Sequence, residues 1–217
     1  MPLTPNDDIV EISRRCNFLR MALANAEDAF KTNPTLKYMY LCEVSEERPN
    51  PTFLCFSKGT YGSRLDLHRD YLSQRAILPI ILTLPLCPWL KHINLREERL
   101  TTTLIEILCE SLKNLPRIRT IDVSGNPFGS FGLQALLKLV LWRRSIVDCY
   151  VGSTQGVGSL LRRLQMACGR NYRDLAQREQ EETEKEEEEE EEEEEKMGFV
   201  MGVETEQEGE ASDALLT

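Results

Sequence analysis

The chain has 217 residues, of which 41% are hydrophobic and 29% charged, enough apolar content for a packed core in one or two domains. Its net charge of −10 is unevenly distributed: residues 1–178 contain 24 Lys and Arg against 17 Asp and Glu, whereas residues 179–217 contain 2 against 19. The acidity therefore belongs to the C-terminal segment, and the rest of the chain is mildly basic, which excludes a uniformly acidic protein.

The cysteine pattern and the termini indicate a protein of a reducing compartment. Seven cysteines occur without a Cys-x-x-Cys pair or a nearby histidine, which argues against a disulfide framework and a zinc site. We expect no metal and no cofactor. No signal-peptide pattern is present, and the longest apolar run, 76–90, is interrupted by prolines and is shorter than a membrane span of roughly 20 residues. We expect an intracellular, cytoplasmic protein that does not bind membranes, with the nucleus or a cilium or flagellum as alternatives.

The N-terminal part, residues 1–61, is predicted to form a helical cap. Apolar spacing predicts one helix over 8–31, and an Asn-Pro pair predicts a second over 33–46, with the asparagine as its cap. The short apolar stretch 52–57 is compatible with either a strand or a helical turn.

Residues 62–170 contain about four repeats of 28 residues. Each repeat has apolar residues at relative positions 4 and 6, continues through a polar turn and closes with a helical pattern. The predicted helices cover 75–83, 102–113 and 130–142, and Pro79 is expected to shorten or kink the first. The apolar residues at position 4 are Leu65, Ile93, Ile121 and Cys149, and those at position 6 are Leu67, Leu95, Val123 and Val151.

The third repeat carries the pattern Ile118-x-x-Ile121-x-Val123-x-x-Asn126-x-Phe128 before a helix, which resembles the ribonuclease-inhibitor type of leucine-rich repeat. The resemblance implies an α/β fold, a short solenoid with parallel strands on its concave face and helices on its convex face. It also implies that the asparagine satisfies backbone groups in the turn, so the other repeats are expected to be looser. Their residues at that position are Asp70, Glu98 and Thr154.

Residues 171–217 are predicted to form an acidic low-complexity tail, either coiled coil or disordered. We expect a helix at its start, capped by Asn171, and disorder beyond it, because like charges four residues apart repel one another in the unbroken run Glu186–Glu195. A repeat body with an acidic tail is similar in plan to the acidic nuclear phosphoproteins that associate with histones, which implies basic protein partners. A merely solubilising tail is the alternative. Separately, Tyr38–Glu43 resembles the segment that precedes leucine-rich repeats in some proteins of ciliated and flagellated cells.

Positions 3, 5 and 7 of each repeat are predicted to line the concave face, because successive side chains of a strand point to opposite sides. This polar, mixed-sign surface suits a protein partner, with Arg96 and Tyr150 as anchors, although any solvated sheet face is polar. Two histidines lie there, but spacing assembles no nucleophile and base around them, so we expect no enzyme. The predicted partner-binding residues are Arg64, Asp66, His68, His92, Asn94, Arg96, Thr120, Asp122, Ser124, Asp148 and Tyr150.

Two further patterns are interpreted without assigning them a site. Gly152–Gly158 superficially resembles a phosphate loop but lacks the Gly-Lys-Ser/Thr ending, so a repeat turn is expected. The arginines between Arg143 and Arg178 are expected to be solvated or covered by the acidic tail, which argues against nucleic acid as a partner. The leading hypothesis is a non-enzymatic protein–protein interaction scaffold, and the alternative is an acidic-tail chaperone or regulator of basic proteins such as histones.

Overall fold

A computed structural model describes the backbone of residues 5–60, 62–152 and 158–210, and the side chains of residues 10–60, 62–152 and 158–185. The chain divides into two compact units, Met1–Tyr172 and Arg173–Thr217. The fold is mixed α/β, as predicted. The glycine-rich turn after Gly152 and the end of the tail from residue 211 lie outside the described residues.

Within the described residues, helices alone precede the first strand, but the helix predicted over 8–31 is divided in two by residues 25–27. The stretch 52–57, which spacing left open, is helical. These helices are α1 (Pro5–Ala24), α2 (Asp28–Thr32), α3 (Pro34–Ser45) and α4 (Pro51–Ser57).

Helices α3 and α4 begin in the same way, with an asparagine cap followed by proline. The side chain of Asn33 accepts a hydrogen bond from the Leu36 N–H at 3.0 Å, and that of Asn50 accepts one from the Phe53 N–H at 2.8 Å. Proline in the first turn lacks only an N–H that the helix does not use. Asn50 also donates from Nδ2 to Oδ2 of Asp70 at 2.8 Å, which ties the helical cap to the first repeat.

Four short strands form one parallel sheet in chain order. Leu65 lies opposite Ile93, Ile93 opposite Ile121 and Ile121 opposite Cys149, so neighbouring strands are in register at the 28-residue period of the sequence. The strands are β1 (Arg64–Asp66), β2 (His92–Asn94), β3 (Thr120–Asp122) and β4 (Asp148–Tyr150).

A helix follows each strand of the sheet, and the core lies between these helices and the strands. After β1 the chain forms α5 (Ile77–Thr83), whose third residue is Pro79, and a 3-10 turn, Leu84–Leu86. Because α5 begins two residues later than predicted, Pro79 falls in the first turn, where its missing N–H is not needed. The next two helices are α6 (Thr102–Leu112) and α7 (Ser130–Trp142).

The turns after β2 and β3 each have a buried polar side chain at their centre. Asn126 accepts from the Leu100 N–H at 2.9 Å, and its amide group donates to the carbonyl oxygens of Leu95 and Val123 at 2.8 and 2.9 Å. At the equivalent position of the preceding repeat, Oε2 of Glu98 accepts from the Leu72 N–H at 2.8 Å. Among the described residues, the other carboxylate oxygen of Glu98 is buried without a hydrogen-bond partner.

The last helix is α8 (Gly158–Glu210), and two expectations about it need correction. Asn171 lies inside α8 rather than capping a new helix. Its buried amide donates to the carbonyl oxygens of Val140 and Ile146 at 3.0 and 2.9 Å, so these two backbone groups after the third repeat have hydrogen-bond partners. The acidic run is helical as far as Glu210, where we expected disorder beyond the start of the tail. Glutamate has an unbranched side chain that loses little rotamer freedom in a helix, which favours this conformation.

Candidate partner-binding surface

The predicted partner-binding residues lie on one side of the sheet. In each of β1, β2 and β3 the central residue is buried, whereas its two neighbours are exposed or half-buried. Alternation along the strand therefore places positions 3 and 5 together on the side opposite the core. We call this surface, with the position-7 residues that follow the strands, the open face. Its members are Arg64, Asp66, His68, His92, Asn94, Arg96, Thr120, Asp122, Ser124, Asp148 and Tyr150.

The residues at position 5 shape the turns that follow the strands. Asp66, Asn94 and Asp122 each accept a hydrogen bond from the backbone N–H two residues later, at 3.2, 3.1 and 2.9 Å. Such bonds are the Asx turns that aspartate and asparagine favour. Asn94 also donates to Asp66 across the strands at 3.0 Å. These three side chains are thus already held in place by the protein itself.

The basic residues of the open face are less constrained. Arg64 lies 3.6 Å from a carboxylate oxygen of Asp66, and Nε of Arg96 lies 3.2 Å from Oε1 of Glu97. Ion pairs this exposed contribute only about 0–1 kcal/mol each, so a partner can replace them at little cost. Nδ1 of His68 lies 3.1 Å from the carbonyl oxygen of Arg96, which links the position-7 residues of two neighbouring repeats.

The side of the open face where the strands begin has a positive electrostatic potential. Burial lowers the pKa of His92 below its ordinary value of 6.5, and the charges of Arg64, Lys91 and Arg119 lower this pKa further, while Asp148 opposes them. Lys91 and Arg119 occupy position 2, which sequence analysis did not assign to the site. The signal was available, since both precede a strand by one residue and lie 28 residues apart.

Two depressions flank Tyr150, which is 53% exposed. One, of about 240 Å³, is lined by residues of β1, β2 and β3 together with Tyr150. The other, of about 430 Å³, is lined by Arg96 and Ser124 and also by Leu161 and Gln165 of α8. Periodicity places Leu161 on the helix but does not reveal that it reaches the open face, so these two residues were missed.

Within the part of the chain that the structure describes, no three His, Cys, Asp or Glu side chains cluster as a metal would require. Nor is any described helix both long enough and apolar enough to cross a membrane.

Comparison with known proteins gives little further information. No protein-family model matches the chain, and no curated protein matches it. Among solved structures the chain is similar to one described as "Leiomodin-1 Actin-Binding Site 2 (ABS2)", with a TM-score of 0.45 and 12% identity, over 57% of this chain and 88% of that one. A likeness this distant carries no argument about function.

Proposed function

We propose that residues 62–170 form a leucine-rich-repeat solenoid of the ribonuclease-inhibitor-like type and that the protein is a non-enzymatic scaffold. A protein partner binds to the open face, which is the concave face of that solenoid. The agreement between strand register and sequence period supports the solenoid, because each repeat adds one strand and one helix to the same stack. We place the scaffold in the cytoplasm, with the nucleus or a cilium or flagellum as alternatives.

The observation that carries the binding proposal is the position of Tyr150 between two depressions on a surface whose turns are already ordered. An exposed tyrosine offers a large apolar area and a hydroxyl group at small entropic expense, and tyrosine and arginine dominate measured binding hot spots. Because the Asx turns are formed without a partner, docking orders few groups and more of the contact free energy appears as affinity.

The experiment compares open-face variants with matched variants elsewhere. Partners captured by the wild-type chain are identified, and the affinity of each purified partner is measured for Tyr150→Ala and Arg96→Ala. Trp142→Ala and Arg117→Ala are the controls, since both residues are exposed, Trp142 lies in a pocket between α6 and α7, and Arg117 precedes the third repeat. We expect each open-face variant to weaken binding about tenfold or more, a loss of at least about 1.4 kcal/mol, and the controls to bind as wild type. Equal affinities for all four variants would refute the proposal.

A second function is favoured by the charge of the tail, 2 basic against 19 acidic residues in 179–217. In this alternative the acidic segment acts as a chaperone or regulator of basic proteins such as histones, and the repeats only position it. Deleting residues 179–217 would abolish this activity and leave open-face binding intact. Partners of the tail would also be basic and would dissociate as salt screens the charges, over a Debye length of about 10 Å at 0.1 M.

A further inference from the structure

A second pocket lies away from the open face, where helices α1 and α3 of the cap meet the first two repeats. It has a volume of about 220 Å³. Its apolar wall includes Leu82 and Pro85, and its polar residues are Arg20, Lys37, Glu110 and Ser111.

Lys37 is the unusual member of this group, because it is only 8% exposed. Within the described residues its ammonium group forms neither a hydrogen bond nor an ion pair. The nearby thiol of Cys87 does not neutralise it, because burial raises the pKa of that thiol to about 12 and keeps it protonated at neutral pH. Burial in turn lowers the pKa of Lys37. The aliphatic stem of Lys37 is buried while its ammonium group reaches the pocket, where an anion could form a charge-assisted hydrogen bond with it.

Ser111 supplies a second donor to the same pocket. It is 7% exposed, and in the described part of the chain its hydroxyl has no hydrogen-bond partner. Two donors on largely buried side chains, from the different helices α3 and α6, thus line one small pocket that is open to solvent. Within the described residues neither donor forms a hydrogen bond to the protein, so both are available to one acceptor in the pocket.

We propose that this pocket binds a carboxylate group on a short aliphatic stem, with Nζ of Lys37 and Oγ of Ser111 as its hydrogen-bond donors. The charges of Lys37 and Arg20 outnumber that of Glu110 by one, which matches a single negative charge. A carboxylate would make the occupied pocket neutral, whereas a doubly charged phosphate would leave it with a net charge of about −1. The aliphatic stem packs against the apolar wall formed by Leu82 and Pro85.

Binding here joins the cap to the repeats. Arg20 and Lys37 belong to the cap, whereas Ser111 and the apolar wall belong to the repeats, so an occupied pocket has contacts on both sides of the junction. The proposal is independent of partner binding at the open face, and its test does not involve that surface.

The test uses the full chain with ¹³C-labelled lysine and follows the Lys37 Cε signal by NMR, assigned as the one missing from Lys37→Met. Sodium butyrate is added at constant ionic strength, with sodium chloride as the reference. Parallel titrations use glutamate blocked at both its amino and carboxyl termini, and sodium phosphate. Saturation with butyrate indicates a free small acid as the ligand. Saturation with blocked glutamate alone indicates an acidic side chain of a partner, and either result supports the site.

Variants test whether Lys37 and Ser111 are the residues that bind the carboxylate. Butyrate binding, followed through the proton signals of the ligand, should be at least about tenfold weaker for Lys37→Met and weaker for Ser111→Ala. It should be unchanged for Lys138→Met, which removes an exposed lysine of α7. Should Lys37→Met fail to fold, the proton signals of butyrate, compared between wild type and Ser111→Ala, still decide. The proposal is overturned if chloride shifts the Lys37 signal as much as butyrate does, or if phosphate binds more tightly than either carboxylate.

Discussion

Glu98 and Asn126 lie 28 residues apart and make the same hydrogen bond to the preceding repeat: each accepts from a backbone N–H 26 residues earlier in the chain. They differ in what else they do. The amide of Asn126 donates to two carbonyl oxygens, whereas the second carboxylate oxygen of Glu98 is buried and has no partner in the part of the chain that the structure describes. The same turn is therefore better satisfied in the third repeat than in the second.

Replacing Asn126 with alanine is expected to destabilise the protein by about 3 kcal/mol or more. The substitution removes one acceptor and two donated bonds from buried backbone groups, and each buried group left unsatisfied costs about 1–3 kcal/mol. Urea unfolding measures the change. Asn114→Ala, at an exposed position, should stay within about 0.5 kcal/mol of wild type. Equal effects of the two substitutions would mean that the buried amide contributes nothing specific.

Replacing Glu98 with glutamine is expected to stabilise the protein by about 1 kcal/mol. Glutamine keeps the acceptor for the Leu72 N–H and exchanges the unpartnered carboxylate oxygen for a neutral group that can donate, as Asn126 does. The free energy of unfolding in urea is the measurement, with the exposed Glu106→Gln as a control that should change it little. A less stable Glu98→Gln variant would contradict the equivalence of the two turns.

Gly125→Ala is expected to destabilise the protein by about 1–2 kcal/mol. Gly125 has a φ of +73°, and a Cβ atom there would lie 2.8 Å from Cγ of Glu97. Thermal and urea unfolding would both report the loss. Gly169→Ala is the control, because Gly169 lies inside α8, where alanine is favoured, and an added Cβ would meet nothing within 4 Å. Its effect should be at least about 1 kcal/mol smaller.

Stability should fall as the pH decreases through 6.5, in part because of His92. Its pKa in the folded protein is below 6.5, owing first to burial and then to Arg64, Lys91 and Arg119, while Asp148 opposes the shift. The unfolded chain therefore binds a proton at this position more readily, and protonation favours unfolding. Urea unfolding at a series of pH values should show a smaller decline for His92→Gln.

The same prediction has a direct spectroscopic check. The His92 ring proton, followed by NMR, should titrate below the value found in the urea-unfolded chain. Salt at about 1 M should raise its pKa only in part, because screening removes the contribution of the arginines and Lys91 but not that of burial. A midpoint at or above the unfolded value would contradict the positive potential assigned to this side of the open face.

Much of the fold follows from local patterns in the sequence. The 28-residue period gave the strand register, because a one-residue slip would turn Leu65, Ile93 and Ile121 out of the core. The Asn-Pro pair at Asn33 gave the start of α3. Asn171 was misread because its partners, Val140 and Ile146, lie 31 and 25 residues away, and a capping asparagine cannot be told from a buried bridging one by its neighbours alone.

The candidate surface was predictable to the extent that it depends on alternation along the strands. Positions 3 and 5 could be listed because a strand shows every second side chain to the same side. Leu161 and Gln165 could not, since their place beside Tyr150 depends on the path of the chain between β4 and α8. The pocket at Lys37 was also out of reach, because it is assembled from helices separated by up to about 90 residues, and no pattern marks a lysine as buried.

Because Asp66, Asn94 and Asp122 form Asx turns, the positions of the open face differ in how freely their residues can be substituted. The side chains at position 5 form these turns, so replacing them would alter the backbone as well as the contact surface. The side chains at positions 3 and 7, such as those of His92 and Arg96, form no Asx turn. A library designed to redirect the protein to new targets should therefore randomise positions 3 and 7 and keep aspartate or asparagine at position 5 of the first three repeats.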